Sequence, residues 1–221
     1  MAEKSAADVD AAVDADPRQS VYQRVLGPEY ASLDPRLQQY FGPIPAGWVG
    51  SGSGVYRVAG SRHLFLRPVL TVMAWRHVLF PELGHDVPFG VVNTPSTDGG
   101  LGAVRTFEFL RRTRIMEDAM VVQGDRLYDR LGKRGGLGVA IRLSVVSGAL
   151  HMTSTALALH IGRVRIPLPP LATMHLREHI GEAETARQQV DVRIDAPILG
   201  EVFRYTGSFV YSVGPATGSG V

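Results

Sequence analysis

The sequence predicts a mainly β protein with a minority of α-helix, folded as an antiparallel, barrel-like sheet of about eight or nine strands. Two observations lead to this prediction. After Pro88 the apolar residues follow a period of two, and turn sequences containing Gly, Asp or Ser separate the runs. Short links of this kind join antiparallel neighbours, and closure of so many strands removes the unpaired edges of the sheet. One longer helix and one or two short helices are expected to pack at an end of the barrel.

The strand-like runs begin near the first tryptophan. A Gly/Ser-rich run at residues 50–54, GSGSG, is interpreted as the start of the sheet, because Gly permits close approach of neighbouring backbones. Later runs with a period of two continue through the rest of the predicted barrel. They cover residues 102–110, 113–122, 126–131, 137–147, 150–160, 163–167, 172–182, 187–196 and 201–213.

Helices are predicted before these later strands. Residues 21–26 carry apolar side chains at helical spacing, and residues 35–40 follow Asp34, a favourable N-cap. The longest helix is expected at residues 62–83, where an apolar stripe recurs every three or four residues. Pro68 is expected to kink this helix or to begin it late.

Composition limits the domain organisation. The chain of 221 residues is 45% hydrophobic, which suits one sizeable core. Residues 1–16 are rich in Ala and Asp and are predicted to be a disordered acidic leader. Residues 17–213 are predicted to form a single barrel-like domain, and residues 214–221 a flexible tail. Because the leader has no basic or continuous apolar region and no later stretch suits a bilayer, we predict a cytoplasmic protein without a membrane span.

The charge and the residue types restrict the partners. The chain contains no cysteine, so thiolate nucleophiles and cysteine-ligated metals are excluded. Its net charge is +2, and no basic stripe with interleaved aromatics resembles a nucleic-acid surface. We therefore predict a hydrophobic small molecule as substrate or ligand, with no nucleic acid, no metal and no cofactor. Assembly as a homodimer is left open.

Six stretches spread over most of residues 24–213 carry a family resemblance. They are RVLGPEYASLDPRLQQYFG, GSGSGVYRV, VRTFEFLRRTRI, GGLGVAIRLSVVSGAL, GRVRIPLPPLA and APILGEVFRYTGSF. Together they resemble an uncharacterised bacterial domain family, a domain of unknown function often found C-terminal to saccharopine-dehydrogenase-like NAD(P)-binding domains. The resemblance implies no settled activity, and since no such NAD(P)-binding part is present here, the protein is expected to act alone.

Two motifs that could indicate chemistry are set aside. His175 to His179 match H-x-x-E-H, a zinc pattern that requires a helix. This stretch is predicted to be a strand, in which residues four apart are separated by ~13 Å. The glycine-rich runs at residues 50–54 and 135–138 lack the strand–turn–helix context of a nucleotide-binding loop.

Three residues are candidates for catalysis. Glu108 and Glu178 lie on strand-like runs among apolar residues, where burial would raise a carboxyl pKa towards neutrality. Tyr205, with Phe203 and Phe209 nearby, could present its hydroxyl inside an apolar chamber. Surface placement of the two acids, and plain core packing of the tyrosine, remain the alternatives.

Other residues are candidates for binding a ligand, provided that their side chains point inward or lie at the mouth of the barrel. An outward, solvated position is the alternative for the arginines, and ordinary core packing for the apolar residues. These candidates are Arg105, Arg142, His151, Trp75, Met73 and Phe203.

Three functions are compatible with this sequence. The leading hypothesis is a cofactor-independent cyclase that encloses an extended hydrophobic molecule and promotes ring closure in polyketide-type natural-product biosynthesis, by analogy with small β-barrel cyclases. The alternatives are a non-catalytic lipid or polyketide carrier and an accessory interaction module for an NAD(P)-dependent enzyme. Polar groups in the interior favour catalysis, a purely apolar cavity favours carriage, and a filled core with an exposed apolar patch favours the interaction module.

Overall fold

The structure is a computed structural model that describes residues 19–162, 164–181 and 187–216. The predicted acidic leader, residues 1–16, and the last part of the predicted tail lie outside the described residues. Among the residues described, no helix combines the length and the apolar character needed to cross a membrane.

The fold is an antiparallel β-barrel. The eleven strands of the described residues belong to one sheet, and the ring closes because the sixth strand pairs with the seventh as well as with the fifth. Ten strands form the barrel, whereas the eighth extends the sheet by pairing only with the seventh. The strands are β1 Trp48–Gly60, β2 Leu83–Pro95, β3 Leu101–Phe109, β4 Arg112–Gln123, β5 Arg126–Leu131, β6 Leu137–Val146, β7 Ala149–Ile161, β8 Val164–Leu168, β9 Thr173–Ile180, β10 Gln188–Ala196 and β11 Gly200–Pro215.

The predicted fold class is confirmed, with more strands than expected. Every run predicted between residues 102 and 213 is a strand whose ends agree with the prediction to within about two residues. The strand that was missed is β2. Its first half contains Gly84 and Pro88, and Asp86 there has a positive φ of 50°. These residues interrupt the alternation that identifies a strand.

The two predicted short helices are confirmed. Helix α1 (Val21–Leu26) begins at Ser20, whose hydroxyl accepts a hydrogen bond from the Gln23 amide at 3.1 Å. Helix α2 (Pro35–Tyr40) begins after Asp34, whose carboxylate accepts from an amide of the first turn. Both caps satisfy amide groups that a helix start leaves unpaired.

The prediction of one long helix at residues 62–83 is wrong. A single 3₁₀ turn at Leu64–Leu66 leads into helix α3 (Arg67–Trp75), which has only nine residues. Pro68 lies in its first turn, where the missing amide hydrogen is tolerated, so this proline begins the helix. The helix ends just before His77, whose φ of 59° is left-handed.

Helical segments close both ends of the barrel, whereas packing at one end was predicted. At the end that we call the plugged end, Arg24 of α1 donates to the Gly99 carbonyl at 3.3 Å. The Asp34 amide, before α2, donates to the Gly148 carbonyl at 2.9 Å. At the opposite end, which we call the crossover end, the segment that joins β1 to β2 binds β4. There the Glu117 amide donates to the His77 carbonyl at 3.0 Å.

Within the described residues, two apolar cores lie inside the barrel. The first core joins α1 and α2 to the walls of β4, β5, β6 and β7, and its fully buried members include Leu37, Leu127 and Leu150. The second core lies towards the crossover end on β1, β2, β3, β10 and β11. Tyr40 packs against both cores, so the helical plug touches the two halves of the interior.

The glycine run of β1 lets these strands pack tightly. Gly50, Gly52 and Gly54 lie beneath the aromatic rings of β11, and a Cβ on Gly50 would overlap the ring of Tyr211. A Cβ on Gly54 would overlap the Ser208 carbonyl oxygen and lie 2.7 Å from the Phe209 Cα atom. The run is therefore a structural requirement of the β1–β11 pair.

This close packing generates a stability prediction. Gly54→Ala should lower the free energy of unfolding by about 2–3 kcal/mol, because the atoms that it meets belong to the backbone and cannot move aside. The matched control is Gly90→Ala on the neighbouring strand, where the nearest atom lies 3.8 Å from the added Cβ. Gly90→Ala should change the free energy by less than about 0.5 kcal/mol. Urea unfolding measures both, and equal effects would contradict the packing argument.

Candidate functional site

Three neighbouring strands place charged side chains inside the barrel. Arg105 on β3 lies on the same face as the buried Phe107, two residues further along the strand. Asp118 on β4 and Asp129 on β5 likewise alternate with residues that face outward, and both acids are buried. The sheet thus brings one cation and two carboxyl groups to one wall of the interior.

An ion pair joins the first two of these residues. The Arg105 guanidinium donates to Asp118 Oδ1. Asp118 Oδ2 and Asp129 Oδ1 are buried without a hydrogen-bond partner among the described residues. An unpaired buried acceptor is costly and uncommon in a native fold. These two oxygens are therefore available to a group that enters the interior.

Burial alters the pKa values of the two carboxyl groups on this wall. Burial raises the pKa of Asp129 well above its usual range, and the charge of Asp118 raises it further, while Arg105 opposes the shift. Burial also raises the pKa of Asp118, against the opposing charge of Arg105. Burial and the charge of Asp118 therefore favour the protonated form of Asp129, whereas the charge of Arg105 favours the ionised form of Asp118.

Glu178 occupies another wall of the interior, on β9. It is 6% exposed, and Gln188 of β10 donates a hydrogen bond to its carboxylate. Burial raises the pKa of Glu178 to about 7, although the Gln188 hydrogen bond and the charge of Arg105 act in the opposite direction. Near neutral pH this carboxyl can therefore both accept and donate a proton.

Several tyrosines share the interior with these acids. Burial raises the pKa of Tyr205 on β11 to about 12, so its hydroxyl stays neutral and can donate a hydrogen bond. Burial and the nearby charge of Glu178 raise the pKa values of Tyr22 and Tyr40 as well. Tyr22 donates to Met120 Sδ at 3.4 Å, which fixes α1 against the barrel wall.

We call Arg105, Asp118, Asp129, Glu178 and Tyr205 the polar belt. On β4 the belt lies between the two cores, because Asp118 separates Met116 of the second core from Met120 of the first. The Arg105 side chain keeps 20% of its surface accessible although it points inward. Neighbouring atoms therefore do not enclose the guanidinium completely.

The structure brings together some of the residues that the sequence singled out. Tyr205, Glu178 and Arg105 face the interior, and Phe203 is buried in the second core. Sequence reasoning missed Asp118 and Asp129. An available signal was the residue type two positions away on each side, because apolar side chains flank each acid at that spacing.

Other candidates point away from the interior. Glu108 is exposed on the outer face, where it accepts a hydrogen bond from the Thr113 hydroxyl at 2.7 Å. Arg142 is exposed on the outer face of β6, and His151 is half-buried on the outer face of β7. The alternation of each strand, with its apolar neighbours inward, explains these positions. The expectation that these three residues line a chamber is not met.

The two candidates on the predicted long helix are also displaced from the interior. Trp75 is exposed on α3 and Met73 is half-buried there, because the short helix lies across the crossover end with Leu70 and Ala74 inward. The H-x-x-E-H motif lies on β9, as predicted, with Glu178 inward and His179 on the opposite face. Within the described residues, no group of three or more side chains is arranged to hold a metal ion.

The fold and the site define a closed β-barrel with an ionisable belt in its interior. A family model for a domain of unknown function (DUF4166) matches residues 33–209. The chain belongs to this family. No curated protein and no solved structure is similar enough to the chain to match it.

The raised pKa of Glu178 generates a prediction about pH. Between about pH 4.5 and 7 the native carboxyl keeps a proton that the unfolded chain has lost, so stability falls as the pH rises through this range. Glu178→Gln keeps an acceptor for Gln188 and removes this loss, which amounts to roughly 3 kcal/mol. Urea unfolding from about pH 4 to 8 should show the variant gaining stability relative to the unmodified protein. The control is Glu108→Gln, and parallel curves for all three proteins would refute the prediction.

The buried ion pair generates a further prediction. Arg105→Met should lower the free energy of unfolding by about 3 kcal/mol or more, because Asp118 then remains buried without its cation. Adding Asp118→Leu should restore part of this loss, since the double variant buries no unpaired charge there. Denaturant unfolding of the single and double variants gives the coupling energy. If the double variant loses as much free energy of unfolding as the two single variants together, the residues act independently and the prediction is wrong.

Proposed function

We propose that the protein binds a mainly hydrophobic small molecule between its two apolar cores and catalyses a proton-transfer reaction on it. The reaction class that we propose is ring closure of an extended, polyketide-type substrate, without a cofactor. The observation that carries the proposal is the polar belt, in which Glu178, with a pKa of about 7, shares an enclosed interior with Tyr205 and Arg105.

The belt supplies the groups that such a reaction needs. The Glu178 carboxylate would accept a proton from a carbon next to a carbonyl group of the substrate. Tyr205 and Arg105 would stabilise the enolate oxygen by a hydrogen bond and by positive charge. The enolate carbon would then bond to a second carbonyl carbon of the same molecule, and the oxygen of that carbonyl would take the proton back from Glu178. The product is a cyclic isomer of unchanged mass.

The same observation argues against simple carriage. A carrier of lipids or polyketides needs an apolar chamber and gains nothing from buried carboxyl groups, which cost folding free energy. Here Asp118 and Asp129 are buried with unpaired oxygens, and Glu178 is buried on another wall of the same barrel. Retaining such groups is a feature of sites where proton transfer is used.

The experiment begins with native mass spectrometry of the protein purified from its own host, which detects a bound metabolite. A synthetic linear poly-β-ketone thioester is then incubated with the protein, and chromatography with mass detection follows its conversion to a cyclic isomer. Glu178→Gln should slow this conversion by about 100-fold or more, because it removes the proton acceptor. Tyr205→Phe should slow it by about tenfold or more, because it removes a hydrogen-bond donor.

The matched control is Glu108→Gln, which makes the same change on the outer face and should leave the rate unchanged. Thermal unfolding of each variant shows whether the fold is intact. A ligand that is released unchanged in the presence of all proteins would indicate a carrier. Equal rates for the Glu178 and Glu108 variants would rule out the proposed role of the belt.

A further inference from the structure

Helix α3 and the turn before it present apolar side chains to solvent. Phe65, Val69, Val72 and Trp75 recur at spacings of three and four residues, which places them on one side of the helical segment. Trp75 is 74% exposed, Phe65 62% and Val72 61%. We call these four residues, together with the exposed Leu64, the α3 face.

The α3 face is a second apolar side of a helix that is already anchored. Leu70 and Ala74 point towards the barrel and are buried, so the helix does not need the α3 face for its own packing. Single exposed apolar residues are ordinary on protein surfaces, whereas a contiguous group of large ones marks a surface that contacts another apolar phase. The aromatic members, Phe65 and Trp75, make this group unusually large.

The chain segment that carries the α3 face is basic. Residues 58–81 contain three arginines, Arg62, Arg67 and Arg76, and no acidic residue. Arg67 and Arg76 are exposed on the same helical segment, while Arg62 forms an ion pair with Glu201 at 3.2 Å. The segment therefore carries a net positive charge, which complements an anionic partner.

The hairpin between β3 and β4 adds to the same surface. Leu110 at its tip is fully exposed and is followed by the exposed Arg111 and Arg112. A cleft of about 880 Å³ lies between this hairpin and α3, since residues of both line it. Four arginines and three acids line the cleft, and Glu82, one of the acids, is paired with Arg114 at 2.6 Å. The hairpin and α3 thus form one surface with exposed apolar residues, and arginines outnumber acids in the cleft between them.

We infer that this surface docks the crossover end of the barrel onto a membrane that contains anionic lipids. Tryptophan and phenylalanine side chains partition into the interface between headgroups and acyl chains, and arginines beside them bind the phosphates. Each basic residue near an anionic surface adds to the attraction, and the apolar side chains provide the second contribution that stable binding requires. A second copy of the chain fits this surface less well, because a symmetric contact would bring Arg67 and Arg76 of both copies together.

Vesicle flotation tests the inference with the full chain. The probes are vesicles of phosphatidylcholine alone and of equal parts phosphatidylcholine and phosphatidylglycerol. The protein should float with the mixed vesicles, bind neutral vesicles at least about tenfold more weakly, and dissociate as salt is raised. In a Trp48→Phe background Trp75 is the sole tryptophan, and its fluorescence should shift to shorter wavelength on binding.

A matched pair of variants separates the α3 face from general effects of charge. Val72→Glu should weaken binding to mixed vesicles by about tenfold or more, because it places a carboxylate at the membrane. Val146→Glu makes the same change at the plugged end, on a valine that is 55% exposed, and should bind as the unmodified protein does. Both positions are exposed, and equal thermal midpoints would show that neither change unfolds the protein.

Each outcome decides the inference. Preferential binding to anionic vesicles that is lost in Val72→Glu and kept in Val146→Glu supports it. Failure to float with mixed vesicles overturns it, as does equal weakening by the two substitutions. Sedimentation equilibrium adds a separate outcome: a dimer that Val72→Glu dissociates, without vesicle binding, would assign the α3 face to a second copy and overturn membrane docking. None of these results depends on whether the barrel interior is catalytic.

Discussion

The pairing of β6 with β7 is the contact on which the rest of the structure depends. It runs from Leu137 opposite Leu159 to Val146 opposite Ala149, and it converts an open sheet into a ring. Without it, the wall that carries Asp118 and Asp129 would face water instead of the opposite strands. Closure thus excludes water from the interior, and this exclusion raises the pKa values of the carboxyl groups in the belt.

Apolar surfaces and the polar belt meet inside this ring. The helical plug completes one apolar core, the crossover segment covers another, and the belt lies where the two approach each other. Apolar cores on both sides exclude water from Glu178, which raises its pKa, while the cation of Arg105 opposes the rise that burial causes in the pKa of Asp118. An apolar ligand of the proposed kind would contact both cores, and its polar group would lie at the belt. The buried carboxyl groups therefore lower the stability of the fold, whereas the proposed reaction requires them.

Much of the fold could be predicted from the sequence, because a period of two and a turn sequence are local properties. The later strands were found in this way, and so were the caps of α1 and α2. The site was harder, since the face on which Arg142 or Glu108 lies depends on register, and one bulge reverses it. The prediction of one long helix at residues 62–83 was wrong for a related reason. Its apolar stripe resembles a buried face, yet only Leu70 and Ala74 turn towards the barrel. Sequence periodicity does not show whether the other apolar residues of the helix contact the barrel or the surroundings.

The first and last strands of the sheet are partners, with Trp48 opposite Pro215 and Gly60 opposite Arg204. During synthesis, β1 leaves the ribosome long before β11, so the ring cannot close until nearly all of the sheet has been made. In a ring that has not closed, the charged groups of Arg105, Asp118 and Glu178 would stay open to water. Their desolvation therefore belongs to the last step of folding, when the apolar cores on both sides are able to form at the same time. A chain stopped before β11 would expose those carboxyl groups and one edge of β1 together, and would be a natural substrate for proteolysis.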